Sequence, residues 1–164
     1  MTVTKPIRYA FLQVPNYSMI TFSSAVAALR GANYISGKDL YEWEVVTMDG
    51  HPVTASVGFE VGPAKHIDAL NLTGLEALVV CGGTYIDRSY NKHTLSFLRK
   101  VASTKTNLGS TCTGSYLLAA AGLLDGYQCT IHWENLAGMR EEFPSVLMSS
   151  NLFAIDRDRF TCSG

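Results

Sequence analysis

The sequence predicts one α/β domain over residues 1–164, built on a mostly parallel sheet with helices on both faces. The first observation behind this fold class is that short apolar runs alternate along the chain with segments whose apolar residues recur at helical spacing. The second is that 164 residues, 47% of them hydrophobic, suffice for one core and show no repeat, linker or low-complexity tract. Strands that alternate with helices are joined by crossovers, which leave neighbouring strands parallel.

The first half of the chain begins with a buried strand and an amphipathic helix. The apolar run IRYAFLQV, over 7–14, is typical of a strand that is buried on both faces. Apolar residues at helical spacing predict a helix over 19–33, with Ser18 as its cap. The elements predicted next are a strand over 41–50, short extended pieces over 52–63, a short helix over 66–72 and a buried strand over 76–83.

The second half continues the alternation and ends in a hairpin. The segment TGSYLLAAAGLL, over 113–124, is apolar almost all round, so we expect a buried helix there. The other predicted elements are a helix over 92–104, strands over 106–111 and 128–132, a helix over 133–143 that Pro144 stops, and a hairpin over 151–164 around Asp156–Asp158.

Composition and motifs argue against several classes of function. The net charge is -1 without a basic block, which argues against nucleic-acid binding by this chain itself. No apolar run is long enough for a membrane span, and the N-terminus does not resemble a signal peptide. We therefore expect a cytoplasmic protein whose four cysteines are reduced. The histidines lack metal-ligand spacing and no nucleotide-binding glycine motif is present, so neither a metal nor a cofactor is expected.

Three segments that can carry chemistry follow predicted strands. They are Gly82–Gly83, Cys112 and His132. In open parallel sheets, ligands bind beyond the carboxyl ends of the strands, so these segments predict a binding site at one edge. The glycine pair would let backbone N–H groups approach a ligand closely.

Cys112 lies among small residues where a strand gives way to a helix. This pattern is typical of a sharp turn that projects its central side chain, and a helix N-terminus there would lower the pKa of the thiol. The backbone N–H of Thr113 could hold an oxyanion or a ligand carboxylate. Two other interpretations stay open: a buried packing cysteine, and an oxidation sensor that Cys81 or Cys129 would resolve if either is near.

His132 could complete a Cys–His pair with Cys112, the minimum for an activated thiol. No third residue to orient the histidine is evident, since Glu134 falls in the first turn of a predicted helix. Further polar and aromatic residues cluster at predicted strand ends and could line a pocket. They are Asn16, Tyr17, Thr84, Tyr85 and Trp133.

Several segments together resemble a known family. CGGTY, STCTGSYLLAAAGLLDG and TIHWENLAGMREEFP resemble the class I glutamine amidotransferase-like superfamily in its PfpI branch. Together with PNYSMITFSSAVAALRGAN and LFAIDRDRFTCSG, they are more closely similar to the N-terminal domains of GlxA-type AraC-family transcription regulators. The resemblance implies a flavodoxin-like three-layer sandwich, with Cys112 at the elbow and His132 beside it.

The resemblance also implies a function. In such regulators this domain senses a small metabolite, and a C-terminal pair of helix-turn-helix motifs, absent from this chain, binds DNA. The family continues beyond the position of Gly164 with a helix that packs on the sheet, and without it apolar sheet surface would stay uncovered. One departure concerns catalysis: Thr21 stands near the place where PfpI-type enzymes carry a glutamate that contacts the thiol.

We therefore predict a sensing and dimerising domain whose pocket derives from a cysteine-hydrolase site and is not catalytic. The expected effector is an amino-acid-like or betaine-like carboxylate. The alternative is a PfpI-like cysteine enzyme, a hydrolase, deglycase or amidotransferase-like protein, that uses Cys112 and His132.

Overall fold

A computed structural model describes residues 5–164 and contains a seven-stranded sheet. The strands are β1 (Ile7–Gln13), β2 (Tyr41–Thr47), β3 (Ala64–His66), β4 (Leu75–Cys81), β5 (Asn107–Thr111), β6 (Gln128–Cys129), β7 (Leu147–Met148), β8 (Phe153–Asp156) and β9 (Arg159–Cys162). The α-helices are α1 (Met19–Ser36), α2 (Lys92–Ala102), α3 (Ser115–Ala120) and α4 (Leu136–Glu142).

The sheet has the order β3-β2-β1-β4-β5-β9-β8. All of its neighbouring strands are parallel except the edge pair β8 and β9, which forms the predicted hairpin. Strands β6 and β7 form a separate parallel pair. The predicted α/β class with a mostly parallel sheet is confirmed, and this architecture is flavodoxin-like.

Helices cover the two faces of the sheet unequally. On one face, Phe11 of β1 packs with Phe22 of α1, with their ring centroids 5.5 Å apart. On the other face, Leu12 belongs to a larger cluster with Leu98 of α2 and Leu117 of α3. None of the helices within residues 5–164 combines the length and the apolarity that a membrane crossing requires.

Helix ends differ from the predicted ones for local reasons. Helix α1 continues through Gly31 and ends where Gly37 takes a left-handed conformation, with φ of 63°, while the Ser18 side chain makes no capping bond. Helix α3 begins and ends inside the predicted 113–124, and Gly122 with φ of 73° follows it. A left-handed glycine ends a helix because it carries no Cβ penalty in that conformation.

An apolar groove runs beside α1 along the less covered face of the sheet. It has a volume of about 560 Å³ and is lined by side chains of α1, β1, β4, β5 and β9. On the edge strand β8, Phe153 and Ile155 are 63% and 71% exposed, and they pair across the hairpin with Cys162 and Phe160. No residue within 5–164 covers these side chains of β8, and they lie open to solvent.

Candidate functional site

Cys112 lies at a sharp turn between β5 and α3. Strand β5 ends at Thr111, and Cys112 takes a left-handed backbone conformation with φ of 57°. Such a conformation is uncommon for residues other than glycine and often marks a functional site. The predicted elbow is therefore present.

Two close backbone contacts explain the small residues around this turn. A Cβ on Gly82 would lie 2.1 Å from the amide nitrogen of Gly114, and a Cβ on Gly83 would lie 1.9 Å from the carbonyl oxygen of Asn16. Only glycine permits either approach. The Thr113 hydroxyl also donates a hydrogen bond to the Gly83 carbonyl, at 2.6 Å. These contacts hold the ends of β1, β4 and β5 together.

The surroundings of Cys112 raise the pKa of its thiol rather than lower it. Burial raises the pKa of Cys112 above its ordinary value, and negative charge at Cys162 and at Glu134 raises it further. The hydrogen bond from the backbone N–H of Thr113 lowers this pKa, but it is a smaller effect than burial. The predicted lowering by a helix N-terminus is wrong, because α3 has only six residues and the side chain is only 8% exposed.

His132 reaches Cys112 by a different route from the one predicted. It does not end a strand of the main sheet, because β6 is only two residues long and pairs with β7. Instead, its backbone N–H donates to the Cys112 carbonyl at 3.2 Å. No side-chain hydrogen bond within residues 5–164 joins the imidazole to the thiol, and Nδ1 lies 3.7 Å from Glu134 Oε2. Within the described residues, the hydrogen bond between the two residues therefore runs through the backbone and not through the side chains.

Helix α1 supplies no acid to the thiol. Thr21 donates a hydrogen bond to the carbonyl of Ser18 at 3.1 Å, and its Oγ1 lies 3.2 Å from Oγ1 of Thr111, the residue before Cys112. The first turn of α1 contains no acidic residue. Thr21, which the resemblance places near the glutamate of PfpI-type enzymes, thus brings a neutral hydroxyl close to the residue before Cys112.

A pocket of about 470 Å³ opens over the elbow. Seven of the predicted site residues line it, and Ser18, Ser56 and Asn135 line it in addition. The seven are Gly83, Thr84, Tyr85, Cys112, Thr113, His132 and Glu134. Within the described part of the chain, no three His, Cys, Asp or Glu side chains are grouped to hold a metal ion.

The prediction that Tyr17 lines the pocket is wrong. Its side chain is fully buried and packs edge-on against Phe22, with ring centroids 5.9 Å apart. The tyrosine follows a strand end, but the chain turns there and carries the ring under α1 into the core. Burial of this large apolar body stabilises the fold and leaves nothing of the ring for a ligand.

Three other predicted residues lie next to the pocket without lining it. Asn16, with φ of 61°, accepts a hydrogen bond from the Thr84 N–H at 3.1 Å through its backbone carbonyl. Gly82 lies beneath the pocket against Gly114. Trp133 is 74% exposed beside His132, with ring centroids 5.8 Å apart. Asn16 and Gly82 thus support the pocket through backbone contacts, and Trp133 lies at its edge.

Three residues that line the pocket were not predicted, because their local sequence did not distinguish them from ordinary loop or cap residues. They are Ser18, Ser56 and Asn135. Ser18 has the position of a helix cap. Ser56 lies in the loop over 52–63, where it donates its backbone N–H to the Tyr17 carbonyl at 3.0 Å. Asn135 follows His132 by three residues, and a short helical turn places both on the same side. Residues three apart lie on the same side of a helical turn, so the spacing from His132 could have predicted Asn135 as a lining residue.

The chain is similar to proteins named as HTH-type transcriptional regulators. It is 46% identical over 159 residues to the HTH-type transcriptional regulator GbdR of Pseudomonas aeruginosa (strain UCBPP-PA14). The aligned residues make up 97% of this chain and 43% of that protein. It is 32% identical to the HTH-type transcriptional regulator GlxA of Rhizobium meliloti (strain 1021), over 96% of this chain and 48% of that protein. The chain therefore spans less than half the length of these curated relatives.

A solved structure and a family profile agree with these similarities. The crystal structure of an AraC family transcriptional regulator from Pseudomonas putida superposes with a TM-score of 0.85 at 30% identity, over 97% of this chain and 84% of that chain. Residues 9–149 match the profile of the DJ-1/PfpI family. The predicted similarity to GlxA-type regulators is confirmed, and the chain belongs to the DJ-1/PfpI family.

Proposed function

We propose that this chain is the metabolite-sensing and dimerising domain of an AraC-family transcription regulator, and that its pocket binds its effector without turning it over. The protein acts in the cytoplasm, and DNA is contacted by a helix-turn-helix domain outside residues 1–164. The regulator names of the relatives and of the solved neighbour support this proposal.

The observation that carries the proposal is a pocket lined by Cys112, whose thiol has a raised pKa. A nucleophilic cysteine needs a lowered pKa or a base in hydrogen-bonding contact. Burial instead raises the pKa of Cys112. The imidazole of His132 makes no hydrogen bond to that thiol within residues 5–164, and α1 brings Thr21 where an acid would be needed.

The lining suits a small zwitterion with a carboxylate at one end and a cation at the other. The amide of Thr113 faces the elbow and suits a carboxylate. At the rim, Glu134 supplies negative charge, and Tyr85 and Trp133 present exposed aromatic rings. Aromatic faces and a carboxylate together attract a quaternary ammonium group. This arrangement supports the amino-acid-like or betaine-like effector.

Dimerisation of this chain is proposed from the apolar sheet face that residues 5–164 leave uncovered. The groove beside α1 and the exposed side chains of Phe153 and Ile155 form a continuous apolar area around Phe160. Large exposed apolar patches are typical of surfaces that bind another protein.

Thermal unfolding with a matched ligand set tests the proposed effector class. Glycine betaine carries both groups, choline lacks the carboxylate and acetate lacks the cation. A ligand at 100 times its dissociation constant adds about 2.7 kcal/mol, which raises the Tm of a domain of this size by about 5–10 °C. We expect this rise with glycine betaine and not with choline or acetate. No rise with any zwitterionic carboxylate would contradict the proposed ligand class.

The alternative function as a cysteine enzyme rests on the contact between Cys112 and His132. It requires covalent modification of Cys112 during turnover of a substrate. Because the pKa of this thiol is raised, we expect slow alkylation by iodoacetamide at neutral pH. Alkylation faster than that of free cysteine would favour the enzyme over the sensor.

A further inference from the structure

Two polar side chains are buried side by side at the carboxyl ends of β1 and β2. Gln13 ends β1 and Thr47 ends β2, and the residues just before them are paired in the register of the two strands. Alternate residues of a strand share a face, so Gln13 lies on the side of Phe11, which packs against α1. Thr47 likewise lies on the side of Val45, which belongs to the same apolar cluster. The two polar side chains are thus neighbours in the layer between the sheet and α1.

These two side chains are enclosed without a hydrogen-bond partner. Gln13 is 1% exposed and Thr47 is 0% exposed. Within residues 5–164, no protein atom is placed to hydrogen-bond Oε1 or Nε2 of Gln13, or Oγ1 of Thr47. Burying an amide or a hydroxyl without a partner is unfavourable, and roughly 90% or more of such groups bond to protein or to ordered water. Two neighbouring groups of this kind therefore indicate one shared partner.

A third polar group faces the same space. The hydroxyl of Tyr17, a fully buried residue, contacts Sδ of Met19 at 3.9 Å, which is a long hydrogen bond to a weak acceptor. Tyr17 packs in the same cluster as Cys81, and Cys81 is opposite Gln13 in the register of β1 and β4. Burial raises the pKa of Tyr17, and the amide of Gln13 lowers it in part. This effect agrees with the packing, although the amide and the phenol are not placed for a direct hydrogen bond.

We propose that an ordered water molecule is bound between Gln13 and Thr47 and bridges their side chains. Neighbouring strands lie about 4.8 Å apart, which exceeds a direct hydrogen bond of about 2.7–3.2 Å and suits two bonds through one water oxygen. A water can donate to Oε1 or accept from Nε2, so either orientation of the amide satisfies it. With the hydroxyl groups of Thr47 and Tyr17, the site offers the about three partners that a buried water has.

The loop over 52–63 separates this water site from the pocket over the elbow. Ala55 is 2% exposed and packs in the cluster with Tyr17. The next residue, Ser56, donates its backbone N–H to the Tyr17 carbonyl at 3.0 Å and lines the pocket. The water site therefore lies beneath a loop that forms part of the pocket wall. The proposal does not depend on which effector binds or on a function in sensing.

The sign of a stability change tests the proposal. Gln13→Met and Thr47→Val each replace a polar side chain by an apolar one of similar shape. With a bridging water, each single variant takes a partner from the water and from the other side chain, so we expect the Tm to fall by about 3–8 °C. If no water is bound, each variant removes a buried polar group that had no partner, and the Tm rises. A rise in both single variants would overturn the proposal.

The double variant measures whether the two side chains share one partner. Replacing both releases the water and leaves two apolar side chains in contact, so Gln13→Met/Thr47→Val should lose less Tm than the two single variants together. Gln13→Met/Thr73→Val is the matched control, because Thr73 is exposed near the opposite end of the sheet, before β4 begins. Its two effects should add. Additive effects in Gln13→Met/Thr47→Val as well would contradict a shared water.

A high-resolution crystal structure of the original protein identifies the bridging molecule. We expect a water oxygen within about 2.7–3.2 Å of an amide atom of Gln13 and of Oγ1 of Thr47. The same oxygen should be missing from a structure of the double variant. A direct hydrogen bond between the two side chains, with no water between them, would show that the proposal is wrong.

Discussion

The two cavities beside the end of β5 differ in how they are made. The pocket over Cys112 is polar and is built by backbone, since Gly83 meets Asn16 there and three left-handed residues surround it. The left-handed residues are Asn16, Tyr85 and Cys112. The groove beside α1 is apolar and is built by regular elements, being sheet surface that no described residue covers. Irregular backbone at the strand ends thus forms a polar pocket, for which we propose a small polar ligand. The uncovered sheet face forms an apolar groove, which we propose as a contact surface.

The largest expected effect on stability comes from disrupting the close backbone contact beside the pocket. Gly83→Ala would place a Cβ 1.9 Å from the Asn16 carbonyl oxygen, so β1 and β4 would have to separate at the pocket. We expect a loss of about 3 kcal/mol or more in the free energy of unfolding. Gly31→Ala is the matched control: its Cβ meets nothing within 4 Å, and it should stabilise α1 by about 0.5–1 kcal/mol. Urea denaturation measures both, and equal stability of the two variants would contradict the comparison.

A charge on the open sheet face tests the groove as a contact surface. Ile155→Asp places a carboxylate on the exposed apolar side of β8. We expect it to weaken dimerisation at least tenfold, or about 1.4 kcal/mol, in sedimentation equilibrium. Val57→Asp, at an exposed position in the loop over 52–63, should leave association unchanged. If both variants associate like the original protein, the groove is not the dimer surface.

Removing the rim charge tests the polar pocket. Glu134→Gln keeps the shape of the side chain but removes the negative charge that we assign to the cationic end of the ligand. We expect affinity for glycine betaine to fall about tenfold, as for a partly exposed charge contact. Glu141→Gln, an exposed position on α4, is the control and should bind normally. Calorimetric titration measures both, and unchanged binding in Glu134→Gln would remove this residue from the site.

The smallest effect concerns the protonation of the elbow thiol. Burial raises the pKa of Cys112, so the thiol stays neutral at pH values where the unfolded chain has lost its proton. Its contribution to stability is therefore complete below the unfolded pKa of about 8.5 and is lost as the pH rises above that value toward the folded pKa. The alkylation rate of Cys112, followed by mass spectrometry with Cys112→Ser as control, should have its midpoint above about 8.5. A midpoint well below that value would mean an activated thiol and would support the enzyme.

The fold class and seven of the ten residues that line the pocket could be predicted from the order and type of the amino acids. Apolar runs alternating with helical segments predicted the parallel sheet, since that order of elements leaves few other topologies. Small residues flanking Cys112 predicted the elbow, because only they permit the close contacts found at Gly82 and Gly114. The similarity to GlxA-type regulators agreed with this architecture and supplied the expectation of a sensor.

The contacts of individual side chains could not be predicted, because they depend on how distant segments pack together. Tyr17 follows a strand like the pocket residues, yet its ring turns into the core. His132 meets Cys112 through backbone, because β6 is not part of the main sheet. The direction of the pKa shift at Cys112 depends on burial by distant elements, and the position of Cys162 opposite Thr111 depends on the register of β5 with β9. Local sequence reports propensity and spacing, whereas burial and register arise when segments far apart in the chain pack together.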